Sequence, residues 1–201
     1  MIGGFLRRLR DALGPGKRPP DTRSFFVDDD ILETIEVLPA SAADWCRQQI
    51  AAIAEFSARH EAPGGAGWTD VYLRPAAPAT IAELAIPFAP TVAAIGCLLT
   101  EFDAVITGSF ENPQPVRARA FGPSPLSAIV VYHDGTMQRV QHIAVTLRDG
   151  RADAADVLAA LAAVPSPVPL MIANWGTGRY ARLDDASEVS AYLAVLGDRP
   201  A

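Results

Sequence analysis

Residues 126–147 constrain the fold more than any other stretch. Two runs rich in apolar and β-branched residues, 126–133 and 136–147, are separated by Asp134-Gly135. That arrangement signals an antiparallel hairpin closed by a two-residue type I′ turn, because aspartate and glycine tolerate the positive φ angles such a turn needs. A two-residue turn pairs His133 with Thr136 and His142 with Ser127. A second hairpin is expected where Gly176-Thr177-Gly178 separates runs 170–175 and 179–183.

Helical patterns alternate with these strands. Trp45, Gln49, Ile53 and Phe56 recur at helical spacing over a segment ending near His60, with Ser41 three residues before Asp44 as a capping-box-like start. Further helices are expected over 80–84, over 89–100, from Asp153 to about 164, and from a cap pair Asp185/Glu188 to Gly197. Strands are expected over 24–27, 31–38, 68–73, 102–107 and 116–121. Two hairpins among helices imply an α+β domain, with a mixed, largely antiparallel sheet flanked by helices. The compact domain is read as 22–201.

Residues 1–21 read as a separate appendage. Ile2, Phe5, Leu6, Leu9 and Leu13 share one helical face and Arg7, Arg8 and Arg10 the other. Gly14-Pro15-Gly16 stops this short amphipathic helix, and a proline-rich tether follows. Such a helix, residues 1–13, has the make-up for weak contact with a membrane surface. No apolar run is long enough to span a bilayer and no secretory h-region is present, so a cytoplasmic protein is expected.

Charge is polarised. The net charge is −6. Residues 1–23 carry six basic and two acidic side chains, whereas residues 24–46 carry six acids and no base. An acidic surface repels phosphate backbones, which makes nucleic acid a poor partner and a basic protein a good one.

Reactive groups form no recognisable constellation. Cys46 and His60 fall on one helix about 21 Å apart, too far to hydrogen-bond. Cys97, between Ile95 and Leu98 nearby, reads as a small core residue. Gly176-Thr177-Gly178 with Ala181 matches G-x-G-x-x-A, but a strand rather than a helix follows it, which favours a hairpin turn. Asp28-Asp29-Asp30 fails the EF-hand spacing at its sixth and twelfth positions, Glu33 and Pro39. Asp70 and Asp103 precede or enter strands and would do acid–base work only if they met. Arg117 and Arg119 share a face and suit an anion. Trp68 and Trp175 stand at loop–strand boundaries, where core burial is the default and an interface anchor the alternative.

The reading that follows is a non-catalytic, protein-binding module that calls for no cofactor and no metal. Asp28, Asp29, Asp30, Glu33, Glu36, Trp68 and Asp70 would form its partner-binding surface. In size, charge and lack of reactive groups it is similar to the immunity proteins that mask basic bacterial toxins, a likeness no motif carries. The alternatives are a small-molecule enzyme with a carboxylate/arginine site and a subunit anchored in a larger assembly by the N-terminal helix.

Overall fold

The computed structural model describes residues 23–27, 34–62, 64, 67–109, 112–148 and 150–196. The expected N-terminal helix and tether, and the acids Asp28, Asp29, Asp30 and Glu33, lie outside them. The described chain runs β1 (Ser24–Phe26), β2 (Ile35–Pro39), α1 (Ala43–His60), α2 (Phe88–Gly96), β3 (Ala104–Ser109), β4 (Asn112–Pro115), β5 (Ala118–Ser124), β6 (Ser127–His133), β7 (Val140–Leu147), α3 (Arg151–Ala162), β8 (Leu170–Asn174), β9 (Arg179–Arg182) and α4 (Ala186–Leu196).

These elements make an α+β fold with two sheets rather than one. The larger is antiparallel throughout, in the order β5-β6-β7-β2-β8-β9; the smaller is mixed, in the order β1-β3-β4, with β1 parallel to β3. In the larger sheet β2 sits centrally, between β7 and β8.

Alternation along the strands sends one set of side chains to each face. On the first face Ile35, Val37, Ile129, Val131, Ile143 and Ile172 form the main core with Val157, Leu158 and Leu161 of α3 and Tyr192 of α4. Each such aliphatic side chain contributes roughly 1.5–3 kcal/mol by leaving water. Asp185 secures α4, its Oδ1 accepting from the N–H groups of Ser187 (2.9 Å) and Glu188 (3.2 Å). The Glu188 carboxylate turns to Arg182 N–H (2.7 Å), so the expected cap pair is half realised.

The second face has two covers. Over β5, β6 and β7 it is floored by small residues, Ala120, Ala128 and Ala144, and the space is filled by Phe25 of β1 and Phe102 just before β3, whose rings meet edge to face at 5.4 Å. Over β2 and β8 it carries Leu38, Met171 and Ala173, covered by Ala42 and Cys46 at the start of α1. Gly122 lies at a register shift of β5, where a Cβ would come within 2.3 Å of the Ser127 carbonyl oxygen, so only glycine fits that approach.

Several local expectations are corrected. The β6–β7 connection is wider than two residues: His133 pairs with Val140, and His142 with Tyr132 rather than Ser127. Asp134 causes this, its Oδ1 collecting the Thr136 hydroxyl (2.7 Å) and the N–H groups of Thr136 (3.0 Å) and Gln138 (3.4 Å). Residues 68–73 form no sheet strand. Ser41 caps nothing, because a 3-10 turn over Ala40–Ala42 leads straight into α1. Cys97 is exposed just beyond α2.

Candidate binding site

After α1 the chain reverses and runs back along the helix as an extended strap. Thr69 N–H donates to the His60 carbonyl (2.8 Å) at the helix end. Further on, the Tyr72 ring meets Phe56 at 5.5 Å and its hydroxyl donates to Gln49 Oε1 (2.9 Å). Further still, Arg74 reaches the first turn of α1, and Ala77 packs on the cluster of Leu38, Cys46 and Met171. An extended chain advances about 3.3 Å per residue against 1.5 Å in a helix, so a few strap residues span most of α1.

Alternation splits this strap into two faces. Tyr72 and Arg74 point inward and are half-buried, whereas Val71 and Leu73 point outward and are 76% and 85% exposed. Trp68, at the strap's start, is 67% exposed. The core placement expected of Trp68 is therefore overturned. Its backbone forms a bridge with Glu61, but its indole is left in solvent.

The inward face ends in a polar seam on the second sheet face. Glu36 lies on β2 with Ala144 and Ala173 as its neighbours in register, and these small residues leave room for its carboxylate. Glu36 Oε2 pairs with Arg74 Nη2 (3.0 Å) and accepts from Trp175 Nε1–H (3.1 Å). The Arg74 guanidinium lies 3.8 Å from the centre of the Trp175 ring, and Trp45 meets Trp175 edge to face at 5.7 Å. Charge and quadrupole thus hold Arg74 from two directions.

The field of Glu36 reaches two further groups. Burial pushes the Cys46 thiol up to about 11, with Glu36 adding to the rise and Arg74 opposing it. A thiol in that state is a poor nucleophile at neutral pH. Burial also lowers the pKa of His142, opposed by Glu36. His142 packs near Tyr132 at 5.8 Å, while His133 packs on Phe88 at 5.0 Å. The two histidines face opposite sides of the sheet. Among the described residues no three His, Cys, Asp or Glu groups gather as metal ligands.

The expected site residues scatter accordingly. Glu36 is engaged internally by Arg74 and Trp175. Asp70 is exposed beside Trp68, its Oδ1 accepting from Val71 N–H (2.8 Å). Asp103 serves a different element, its Oδ2 accepting from Arg23 N–H (2.6 Å). Arg119 is held bidentately by Glu101, so it offers no free half of an anion clamp with Arg117. A cavity of about 320 Å³ at the end of α3 is lined mainly by apolar residues such as Leu161, Val164 and Leu170; its titratable group, Asp184, is paired with Arg182 (2.8 Å).

Sequence reasoning missed Arg74, Tyr72 and the outward pair Val71 and Leu73. The strand expected over 68–73 takes in the alternation of Val71, Tyr72 and Leu73 but stops short of Arg74, and a sheet is not what that alternation packs against. No protein-family model, no curated protein and no solved structure matches the chain.

Proposed function

We propose that this protein is a non-catalytic binding module that docks a basic protein partner on the strap, with the acidic residues Asp28, Asp29, Asp30 and Glu33 contributing charge. The observation that carries the reading is the exposure of Trp68, Val71 and Leu73 together with Asp70 within six residues. Large side chains so exposed in a row mark interaction surfaces, and a tryptophan is a frequent anchor of such contacts. Asp28, Asp29, Asp30 and Glu33 add four carboxylates to the chain shortly before β2. Their charge would speed encounter with a cationic surface, while Trp68 and Leu73 would supply contact energy.

The specific form we favour is an immunity-type inhibitor that covers the cationic cleft of a basic toxin. Cys46 and Cys97 are free thiols, which suits a reducing cytoplasm. Among the described residues no helix is long and apolar enough to cross a membrane.

A photo-reactive residue at Leu73, with a control at exposed Arg151, tests the reading in cells. The expected product at position 73 is a cross-link to a basic protein, absent at position 151. Reversing Asp28, Asp29 and Asp30 to lysine should cut that capture at least tenfold. Trp68→Ala should weaken the purified complex by about 2 kcal/mol. An acidic partner, or capture unchanged by charge reversal, would remove the proposal.

A further inference from the structure

The backbone of the strap carries information beyond its side chains. Each described strand hydrogen-bonds to at least one neighbouring strand. The strap does not. No N–H of Tyr72, Leu73 or Arg74, and no carbonyl of residues 71–74, enters a backbone hydrogen bond among the described residues. An extended segment with free main-chain groups is a template for a further strand.

This template is already rigid. Tyr72 is tied to Gln49 and Arg74 to Glu36 and Trp175, so alternate residues are fastened below while Val71 and Leu73 stand above. A partner strand would find the conformation formed in advance and lose less entropy on binding. Pro75 ends the free stretch by removing an N–H.

Charge selects the occupant. Glu61 and Asp70 flank the strap, are exposed, and make no ion pair among the described residues. The nearby cations are spent: Arg59 pairs with Glu55 (3.1 Å) and Arg74 with Glu36 (3.0 Å). A second copy of this chain would set these carboxylates against themselves, whereas a lysine- or arginine-bearing strand would neutralise them.

We infer that residues 71–74 receive an extended, basic segment of the partner by strand addition, with main-chain hydrogen bonds along one edge and apolar contacts to Val71 and Leu73. This rests on the docking function proposed above and gives it a geometry. Strand addition draws affinity from backbone bonds and specificity from alternate side chains.

The test uses the full chain and a capped hexapeptide of alternating lysine and valine. Two further forms carry N-methyl groups on one or the other alternate set of amides, and a fourth replaces lysine by glutamate. Binding is read by tryptophan fluorescence and by hydrogen exchange. The expected result is that one methylated set raises the half-saturating concentration at least tenfold while the other is tolerated. The glutamate peptide should fail, and amides within 72–74 should exchange at least tenfold more slowly in the complex. Equal binding by both methylated forms, without protection of those amides, would overturn strand addition. So would failure of the lysine peptide to bind while Leu73 still cross-links a basic protein, an outcome that leaves the docking function standing. Failure of the cross-link removes both.

Discussion

Two arginines close two corners of the same sheet face, and they use different chemistry. Arg23, just before β1, spreads its guanidinium over main-chain carbonyls: Thr100 (3.0 Å), Glu101 (3.3 Å), Pro123 (3.0 Å) and Gly122. Its flat face lies 4.0 Å from the centre of the Phe102 ring. Arg74 also stacks on an aromatic ring, Trp175, but its hydrogen bond goes to the Glu36 carboxylate. The Arg23 corner fastens backbone to backbone around an apolar filling. The Arg74 corner fastens an exposed strap to the sheet through an ion pair. Similar cation–aromatic stacking therefore serves closure in one region and presentation of a surface in the other.

The comparison is most severely tested at the filling. Phe102→Ala should cost about 3–5 kcal/mol in urea unfolding, because alanines below it cannot collapse into the space. A loss under about 1 kcal/mol would mean that the small sheet does not depend on its aromatic pair. Next in size, Arg74→Ala should cost about 2 kcal/mol and speed proteolysis within 68–79, since it leaves Glu36 half-buried without its cation. Pairing Arg74→Met with Glu36→Gln should recover part of that loss. Arg23→Lys should cost about 1 kcal/mol, as an ammonium cannot reach several carbonyls at once. Raising salt should shrink the Arg74 effect and leave the Arg23 effect nearly unchanged; the reverse would break the distinction.

The smallest expected effect is a pH dependence at the seam. Burial lowers the pKa of His142 below its ordinary 6.5. The unfolded chain then binds more protons than the folded one between the folded pKa and 6.5, so stability falls as pH drops through that window. His142→Leu should flatten the urea midpoint between about pH 7 and 5.5 relative to the parent. A steeper dependence in the variant would contradict the neutral, half-buried imidazole.

Much of the scaffold was legible in the residues. β6 and β7 were found because their apolar runs flank a glycine turn, and β8 and β9 for the same reason. The width of the first turn was not legible, since it depends on where the Asp134 carboxylate aims, and Met137 adopts a positive φ of 59° there. The strand expected over 68–73 is not one: its residues run along a helix instead of pairing in a sheet, a difference that period-two alternation cannot reveal. Glu36 looked like a solvent acid because it alternates with Ile35 and Val37. Alternation puts it on the opposite face, but only the tertiary structure shows that α1 and the strap cover that face. Cys97 was read as core from apolar neighbours, yet it lies beyond the end of α2, where helical periodicity no longer applies.

The central place of β2 has a consequence for biosynthesis. Along one edge β2 finds its partner only in Leu170 to Asn174, so that Val37 pairs with Ile172, 135 residues further along the chain. Until those residues leave the ribosome, Ile35 and Val37 face water and a main-chain edge stays open. Contacts this remote in sequence slow folding and lengthen the exposure to aggregation. Nascent chains of this protein thus depend on delayed completion of the sheet, and a ribosomal stall before residue 170 would release a product with its middle strand unpaired.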